Sequence, residues 1–419
     1  MHNLQISVVI IACMRSIQIV LILIFWFPAA VLAENKMRPL LQGYSFGVNS
    51  SVLVTATDRK ELYAWQADKH LIPASTLKLL TANLAIKKWG AQHRFKTDFY
   101  WMNGWLWVQG YGDPFLVSEE LDVLVKQLLA ELPDNAPMID GIGIDGSFFY
   151  DVSVPGRSGV NDPYNAPLSA VSVNFNTVFI NKLGRKVTTA ETQTPLTPTA
   201  QRLALPLGNG KHRINLHDSA TAQQHFAELL MLKLKQQGAE VKPALRYGKV
   251  PIEAEHFYSH INSTSLDKVI QASLKYSNNF VANQLFTLLG GDGQSQALSL
   301  RSSQKWVEKK LLQSYAVEDP SWQGVVVEEG AGLSRNNRLS ARQLTQVLYD
   351  FLPHQYLLKP YENGIVRAKT GTLNGVQTFA GYIDMAGDTF YFVFLFNDPV
   401  AYGYRKAVLQ QLLKDLKSQ

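Results

Sequence analysis

The sequence predicts an α+β fold: a region assembled from both ends of the chain and interrupted by a strand-rich insert. Three patterns carry that reading. Apolar residues alternate as strands near both ends, at 44–63 and 365–397. Helical periodicity follows the first of these stretches and precedes the last. Between them lies a mixed, strand-dominated region. The boundaries are 34–97 and 255–419 for the discontinuous region and 98–254 for the insert. At 419 residues, 46% hydrophobic and 18% charged, the chain can bury one large core or two medium ones.

The first segment reads as an export signal: Arg15, an apolar run over 17–27, then Pro28-Ala-Ala-Val-Leu-Ala33 with small residues before a cut after Ala33. Residues 1–33 are therefore expected to be removed, Met14 being an alternative start. Neither apolar run beside Arg15 reaches the roughly 20 residues that a membrane span needs. The one cysteine, Cys13, falls inside the signal, so the mature chain should lack disulfides, thiol nucleophiles and cysteine metal sites. The nine histidines show no metal-binding spacing, and no metal or cofactor is expected. A formal charge of +6 suits acidic envelope polymers rather than nucleic acid.

In order, 44–63 reads as two strands turning at Asp58-Arg-Lys60, and Pro73 opens a helix. A hairpin follows around Asn103-Gly104, then a helix over 118–132 capped by Ser118, and a strand over 141–149 running into a loop. Next come a loop at 155–167, a strand at 171–180, a Thr/Pro-rich connection at 187–199, further strand to Leu216, and a helix over 220–237 closed by Gly238. Helices are expected at 265–275, 278–289 and 297–312. A glycine-rich loop, Glu328-Glu-Gly-Ala-Gly-Leu-Ser-Arg335, precedes another helix at 340–351. Strands at 365–370, 376–384 and 389–397 then lead to a basic amphipathic helix, 404–417, which should pack on their sheet.

Pro73-Ala-Ser-Thr-Leu-Lys78 sets a hydroxyl and an amine one helical turn apart. A neutral Lys78 there could take the proton of Ser75. Ser265-Leu-Asp-Lys268 and Ser302-Ser-Gln-Lys305 repeat the pattern, and read as a helix cap and an exposed helix face. Two later motifs single out the first: Ser277-Asn-Asn279 at a helix junction and Lys369-Thr-Gly371 on a strand. Ser172-Val-Asn174 and Ser334-Arg-Asn336 also match Ser-x-Asn, whereas Lys-Thr-Gly occurs once.

Ser-x-x-Lys, Ser-x-Asn and Lys-Thr-Gly in that order resemble the serine penicillin-binding proteins and β-lactamases. The likeness extends to Gly112-Asp-Pro114, Asp145-x-Ser147, Ala166-Pro-Leu-Ser-Ala-Val-Ser-Val-Asn174, Gly332-Leu-Ser-Arg335 and Lys369-Thr-Gly-Thr-Leu-x-Gly-Val376. From about Tyr44 onward the chain resembles the D-alanyl-D-alanine carboxypeptidase/endopeptidase family of low-molecular-mass penicillin-binding proteins, whose members carry a large insert between the first two motifs. It departs from them at Asn278, usually Asp there, and at Asn374, where some members have Gln.

The resemblance implies a serine transpeptidase-type fold, an antiparallel sheet flanked by helices. It implies cleavage of D-Ala-D-Ala ends or D-linked cross-bridges of peptidoglycan stem peptides through a Ser75 acyl-enzyme that β-lactams mimic. Ser75 would attack with Lys78 as base, and the backbone N–H groups of Ser75 and Thr372 would form the oxyanion hole. Ser277 would relay a proton to the leaving group and Asn279 would hold the substrate amide. Lys369 and Thr370 would bind the terminal carboxylate, with Gly371 permitting close approach. Arg335 would meet a stem carboxylate, and Asp145 with Phe149 the stem's diamino acid. A periplasmic location follows; oligomeric state and weak membrane association stay open. A β-lactamase, an esterase of the same fold and a silent peptidoglycan-binding scaffold are the alternatives.

Overall fold

The computed structural model describes residues 40–133, 138–291, 297–316 and 319–418. The segment read as an export signal, 1–33, with Cys13 and the cut expected before Glu34, lies outside the described residues. Strands β1 (Ser50–Thr55) and β2 (Glu61–Trp65) pair as a hairpin that turns at Arg59 with φ 69°. A 3₁₀ turn (Ala74–Leu77) feeds α1 (Lys78–Trp89), whose residues from Lys78 to Ile86 are all buried. The hairpin β3 (Lys96–Met102) and β4 (Trp105–Gly110) turns at Asn103 and Gly104, both at positive φ, which Asn-Gly adopts readily.

The chain continues with α2 (Ser118–Ala130), β5 (Gly141–Asp145), β6 (Thr177–Leu183), β7 (Lys186–Thr189), α3 (Pro198–Ala204), β8 (Gly210–Asn215), α4 (Ser219–Gln236), β9 (Leu245–Tyr247) and β10 (Glu255–Ile261). The chain then runs through α5 (Leu266–Tyr276), α6 (Asn279–Leu289), α7 (Leu300–Ser314) and α8 (Ala341–Phe351). It finishes with β11 (Lys359–Tyr361), β12 (Val366–Leu373), β13 (Val376–Met385), β14 (Asp388–Phe396) and α9 (Tyr404–Lys417).

The two chain ends meet in one antiparallel sheet of order β11-β12-β13-β14-β1-β2, with Ser50 opposite Phe396 and Thr55 opposite Tyr391. Side chains alternate across a strand, and β14 is apolar on both faces, so it serves two cores. Phe392, Phe394 and Phe396 pack against Val408, Leu409, Leu412, Leu413 and Leu416 of α9. Tyr391, Val393 and Leu395 face the core that α1, α5, α6 and α8 share. Each fully buried leucine or phenylalanine here stabilises the fold by about 1.5–3 kcal/mol. The middle of the chain forms a five-stranded sheet, β10-β3-β4-β5-β9, packed on α2 and α4, and a three-stranded one, β7-β6-β8, packed on α3.

Several elements differ from the sequence reading. β10, a strand that the sequence reading does not give, pairs antiparallel with β3. The strand expected at 171–180 starts only at Thr177, because Asn174, Phe175 and Asn176 all lie at positive φ. Asn174 accepts from the Ser118 N–H, and Asn176 donates to the Pro167 carbonyl. Ser118 does not cap α2. Val117 holds that position, and the Ser118 hydroxyl bonds Thr194 and Asn174 instead. The connection at 187–199 contains most of β7 and the start of α3, which Thr197 caps.

Candidate active site

The turn bearing Ser75 is held from the sheet. Ile72 exchanges two hydrogen bonds with the Asn397 side chain, and the Pro73 carbonyl accepts from Thr378 Oγ1 of β13 at 2.9 Å. Ala74, just before the nucleophile candidate, sits at φ 44°, a conformation that non-glycine residues adopt only under constraint. Lys78 opens α1, so its side chain returns to Ser75 across one turn. Its Nζ lies 3.0 Å from Ser75 Oγ, 2.8 Å from Asn279 Oδ1 and 2.6 Å from the Ala331 carbonyl oxygen. An ammonium would donate to all three. A neutral amine would keep two donors and turn its lone pair to one of them. Burial, and then the Lys369 charge, push the Lys78 pKa well below the usual lysine range, while Glu329 pulls it up.

Ser277 ends α5 in the left-handed region, φ 54°, and Asn278 caps α6 by accepting from the Val281 N–H at 3.1 Å. That tight reversal aims Ser277 Oγ and the Asn279 side chain into the same cleft. Lys369 reaches it from β12: its buried Nζ donates to Ser277 Oγ at 2.9 Å and to the Thr370 carbonyl at 2.7 Å. Burial first, then Arg405 and Lys359, lower the Lys369 pKa to about 7. Asn279 also donates to the Tyr164 carbonyl, at 3.2 Å, on a short 3₁₀ turn between β5 and β6.

Two glycines flank the nucleophile turn because nothing larger fits. A Cβ on Gly371 would lie 2.2 Å from Thr378 Oγ1 and 2.7 Å from the Ser75 nitrogen. One on Gly332, which has φ 82°, would lie 1.9 Å from the Ala74 carbonyl oxygen. Thr372 follows Gly371 and is exposed, and its Oγ1 accepts from Arg405 Nη1 of α9 at 2.9 Å. Arg405 also donates to the Gly371 carbonyl, bracing the strand that carries Thr370 and Thr372. Arg335 is exposed beside this strand and donates to the Asn374 carbonyl at 3.0 Å.

Asp145 and Phe149 are not bonded to this network. Asp145, buried at the end of β5, accepts from the backbone N–H groups of Ser147 and Val250, both at 2.9 Å. Phe149 stacks on Phe148, lies against Gly112 and bridges to Leu298. The duplicate motifs hold structural positions. Ser265 is the N-cap residue of α5, Ser302 completes a capping box with Ser299, and Ser172 bonds the Ser169 carbonyl. Ser334 bonds Glu328. Sequence reasoning passed over Arg405, Tyr164 and Glu329. The last had a signal, a carboxylate beside a run of small residues; the other two had none.

A family model described as the D-Ala-D-Ala carboxypeptidase 3 (S13) family matches residues 30–204, 204–363 and 355–416. The D-alanyl-D-alanine carboxypeptidase of Actinomadura sp. (strain R39) is 24% identical over 429 residues, covering 82% of this chain and 76% of that protein. In solved structures, penicillin binding protein 4 from Haemophilus influenzae superposes with a TM-score of 0.69 at 19% identity, over 88% of this chain and 96% of its own. A predatory peptidoglycan endopeptidase from Bdellovibrio bacteriovorus superposes at 0.52 with 16% identity, over 89% and 93%. The structural likenesses bear on the fold, which is the penicillin-binding type expected from the motifs.

Proposed function

This chain belongs to the D-Ala-D-Ala carboxypeptidase 3 (S13) family, and from that premise we propose how its residues carry out the chemistry. It is a serine peptidase of peptidoglycan, acting as a D-Ala-D-Ala carboxypeptidase, a DD-endopeptidase or both. In our reading Ser75 Oγ attacks the penultimate D-Ala carbonyl while neutral Lys78 takes its proton. The Ser75 and Thr372 N–H groups receive the developing oxyanion, each donor contributing about 3 kcal/mol. Collapse breaks the C–N bond. Ser277 relays the proton that Lys78 took from Ser75 to the departing nitrogen, while Lys369, bonded to Ser277, stays charged. Lys369, Thr370 and the Thr372 hydroxyl hold the terminal carboxylate. Water then releases the Ser75 ester.

Asn279 has a narrower part than the sequence alone suggests: its Oδ1 fixes Lys78 and its Nδ2 is bonded to Tyr164. A substrate amide would share those atoms or displace the Tyr164 contact. Arg335 and Asn374 line the strand's open side, where a stem carboxylate would reach the guanidinium. Asp145, whose carboxylate is held by the Ser147 and Val250 N–H groups, would with Phe149 meet the stem's diamino acid. Peptidoglycan lies outside the cytoplasm, so the enzyme works in the envelope, and β-lactams acylate it as substrate mimics.

The observation that carries this reading is the buried Lys78 amine, 3.0 Å from Ser75 Oγ, with a second buried lysine reaching the same cleft through Ser277. Intact-mass spectrometry over time with benzylpenicillin tests it. Wild type should gain one lasting adduct that Ser75→Ala lacks. Rapid penicillin turnover without an adduct would indicate a β-lactamase, and neither adduct nor turnover a silent scaffold.

A further inference from the structure

Glu329 is 0% exposed, and no step above uses it. Its carboxylate accepts from the backbone N–H groups of Ala331 (2.9 Å), Gly332 (2.8 Å), Leu333 (2.8 Å) and Ser334 (3.3 Å), and from Asn337 Nδ2 (2.7 Å). The backbone from 331 to 334 is thus wound around an anion, which charge-assisted hydrogen bonds hold more strongly than neutral ones. Two atoms of that short arc touch the nucleophile's surroundings. The Ala331 carbonyl accepts from Lys78 Nζ at 2.6 Å, and Gly332 rests against the Ala74 carbonyl. The head of the loop is pinned independently: Thr81 donates to the Gly330 carbonyl, and the Gly330 N–H donates to Asn283.

The charges around it are unequal. Lys78 from α1 and Lys369 from β12 are buried together, and Arg405 of α9 and Lys359 of β11 add positive charge around Lys369. Glu328, next in sequence, is turned instead to Ser334 and Asn336.

We propose that Glu329 is a positioning residue for acylation: it gathers residues 331–334 so that the Ala331 carbonyl aims the Lys78 amine at Ser75, and its charge raises the lower pH limit of the reaction. This rests on the reading of Ser75 and Lys78 as nucleophile and base. The carboxylate steadies the protonated amine, while Lys369 and burial favour the neutral one. Removing the charge therefore lets Lys78 lose its proton at lower pH. The upper limit, set by Lys369, stays in place, because the charges acting on Lys369 are those of Arg405 and Lys359.

The test is the rate of acylation by benzylpenicillin as a function of pH for wild type, Glu329→Gln and Glu329→Asp, with thermal unfolding as the check on folding. Glu329→Gln should react about tenfold to a hundredfold more slowly, as expected for a displaced catalytic group. Its acid limb should move to lower pH while its alkaline limb stays. Glu329→Asp should keep the acid limb and fall between the two in rate. A folded Glu329→Gln with the wild-type profile, or one that is slower with an unmoved acid limb, overturns the proposal. Should Glu329→Gln fail to fold, Glu329→Asp decides: a wild-type rate or a displaced acid limb overturns it. A wild type that is never acylated would refute the Ser75 reading itself, a separate result.

Discussion

Lys369 must be a cation to meet a carboxylate, yet burial and two neighbouring cations bring its pKa to about 7. In the free enzyme the charge is therefore lost as pH rises through about 7, and kcat/KM, which reports free-enzyme ionisations, should fall on that limb. A bound substrate carboxylate favours the charged form and raises the Lys369 pKa. The alkaline limb of kcat should accordingly lie at higher pH than that of kcat/KM. Steady-state profiles with a D-Ala-D-Ala peptide check this; coincident alkaline limbs would mean that Lys369 does not bind the carboxylate.

At the scale of elements, the site depends on how closely β12 approaches the 3₁₀ turn at Ala74–Leu77. α9 packs on the outer face of the sheet, and its Arg405 holds β12 and β13 by their carbonyls at Gly371 and Thr378. Gly371 is the point of contact. Gly371→Ala places a methyl 2.7 Å from the Ser75 nitrogen and 2.2 Å from Thr378 Oγ1, so strand and turn must part. We expect penicillin acylation to slow by about a hundredfold. The overpacking should also lower stability by about 1–3 kcal/mol. Acylation kinetics and denaturant titration measure the two, and an unchanged acylation rate would show that the approach is not needed.

At the scale of the whole molecule, the insert is joined to the helices beside the site by buried polar contacts. Gln284 of α6 donates to the Ser169 carbonyl at 2.7 Å, and Asn262, between β10 and α5, donates to Asp113 at 2.8 Å. Burial raises the Asp113 pKa to about 6 from an ordinary 3.8, against the pull of Asn262 and the Phe115 N–H. The folded state therefore holds this proton more tightly than the unfolded chain. Its contribution to stability is full below about pH 4 and is lost as pH rises through about 6. The loss amounts to about 3 kcal/mol. Asp113→Asn should flatten that part of the curve of stability against pH, and denaturant titrations of both proteins at pH 4 and pH 7 compare it. A wild-type pH difference in the variant would place the titration elsewhere.

The sequence by itself determined the order of motifs, the α+β class, the terminal sheet and the pairing of Ser75 with Lys78. These are local: periodicities of 2 and 3.6, Asn-Gly at a turn, and a three-residue spacing that one helical turn closes. Only the tertiary structure decided what brings Asn279, 201 positions from Lys78, and Lys369, 92 from Ser277, into one cleft. It also decided that β10 pairs with β3 and that three left-handed residues delay β6. Arg405 and Tyr164 meet the site only through packing of α9 and of an insert loop, and no spacing encodes a contact between such distant segments. Lys78 and Lys369 hold their protons loosely for the same reason: burial and neighbouring charge set a pKa, and both arise when the chain folds.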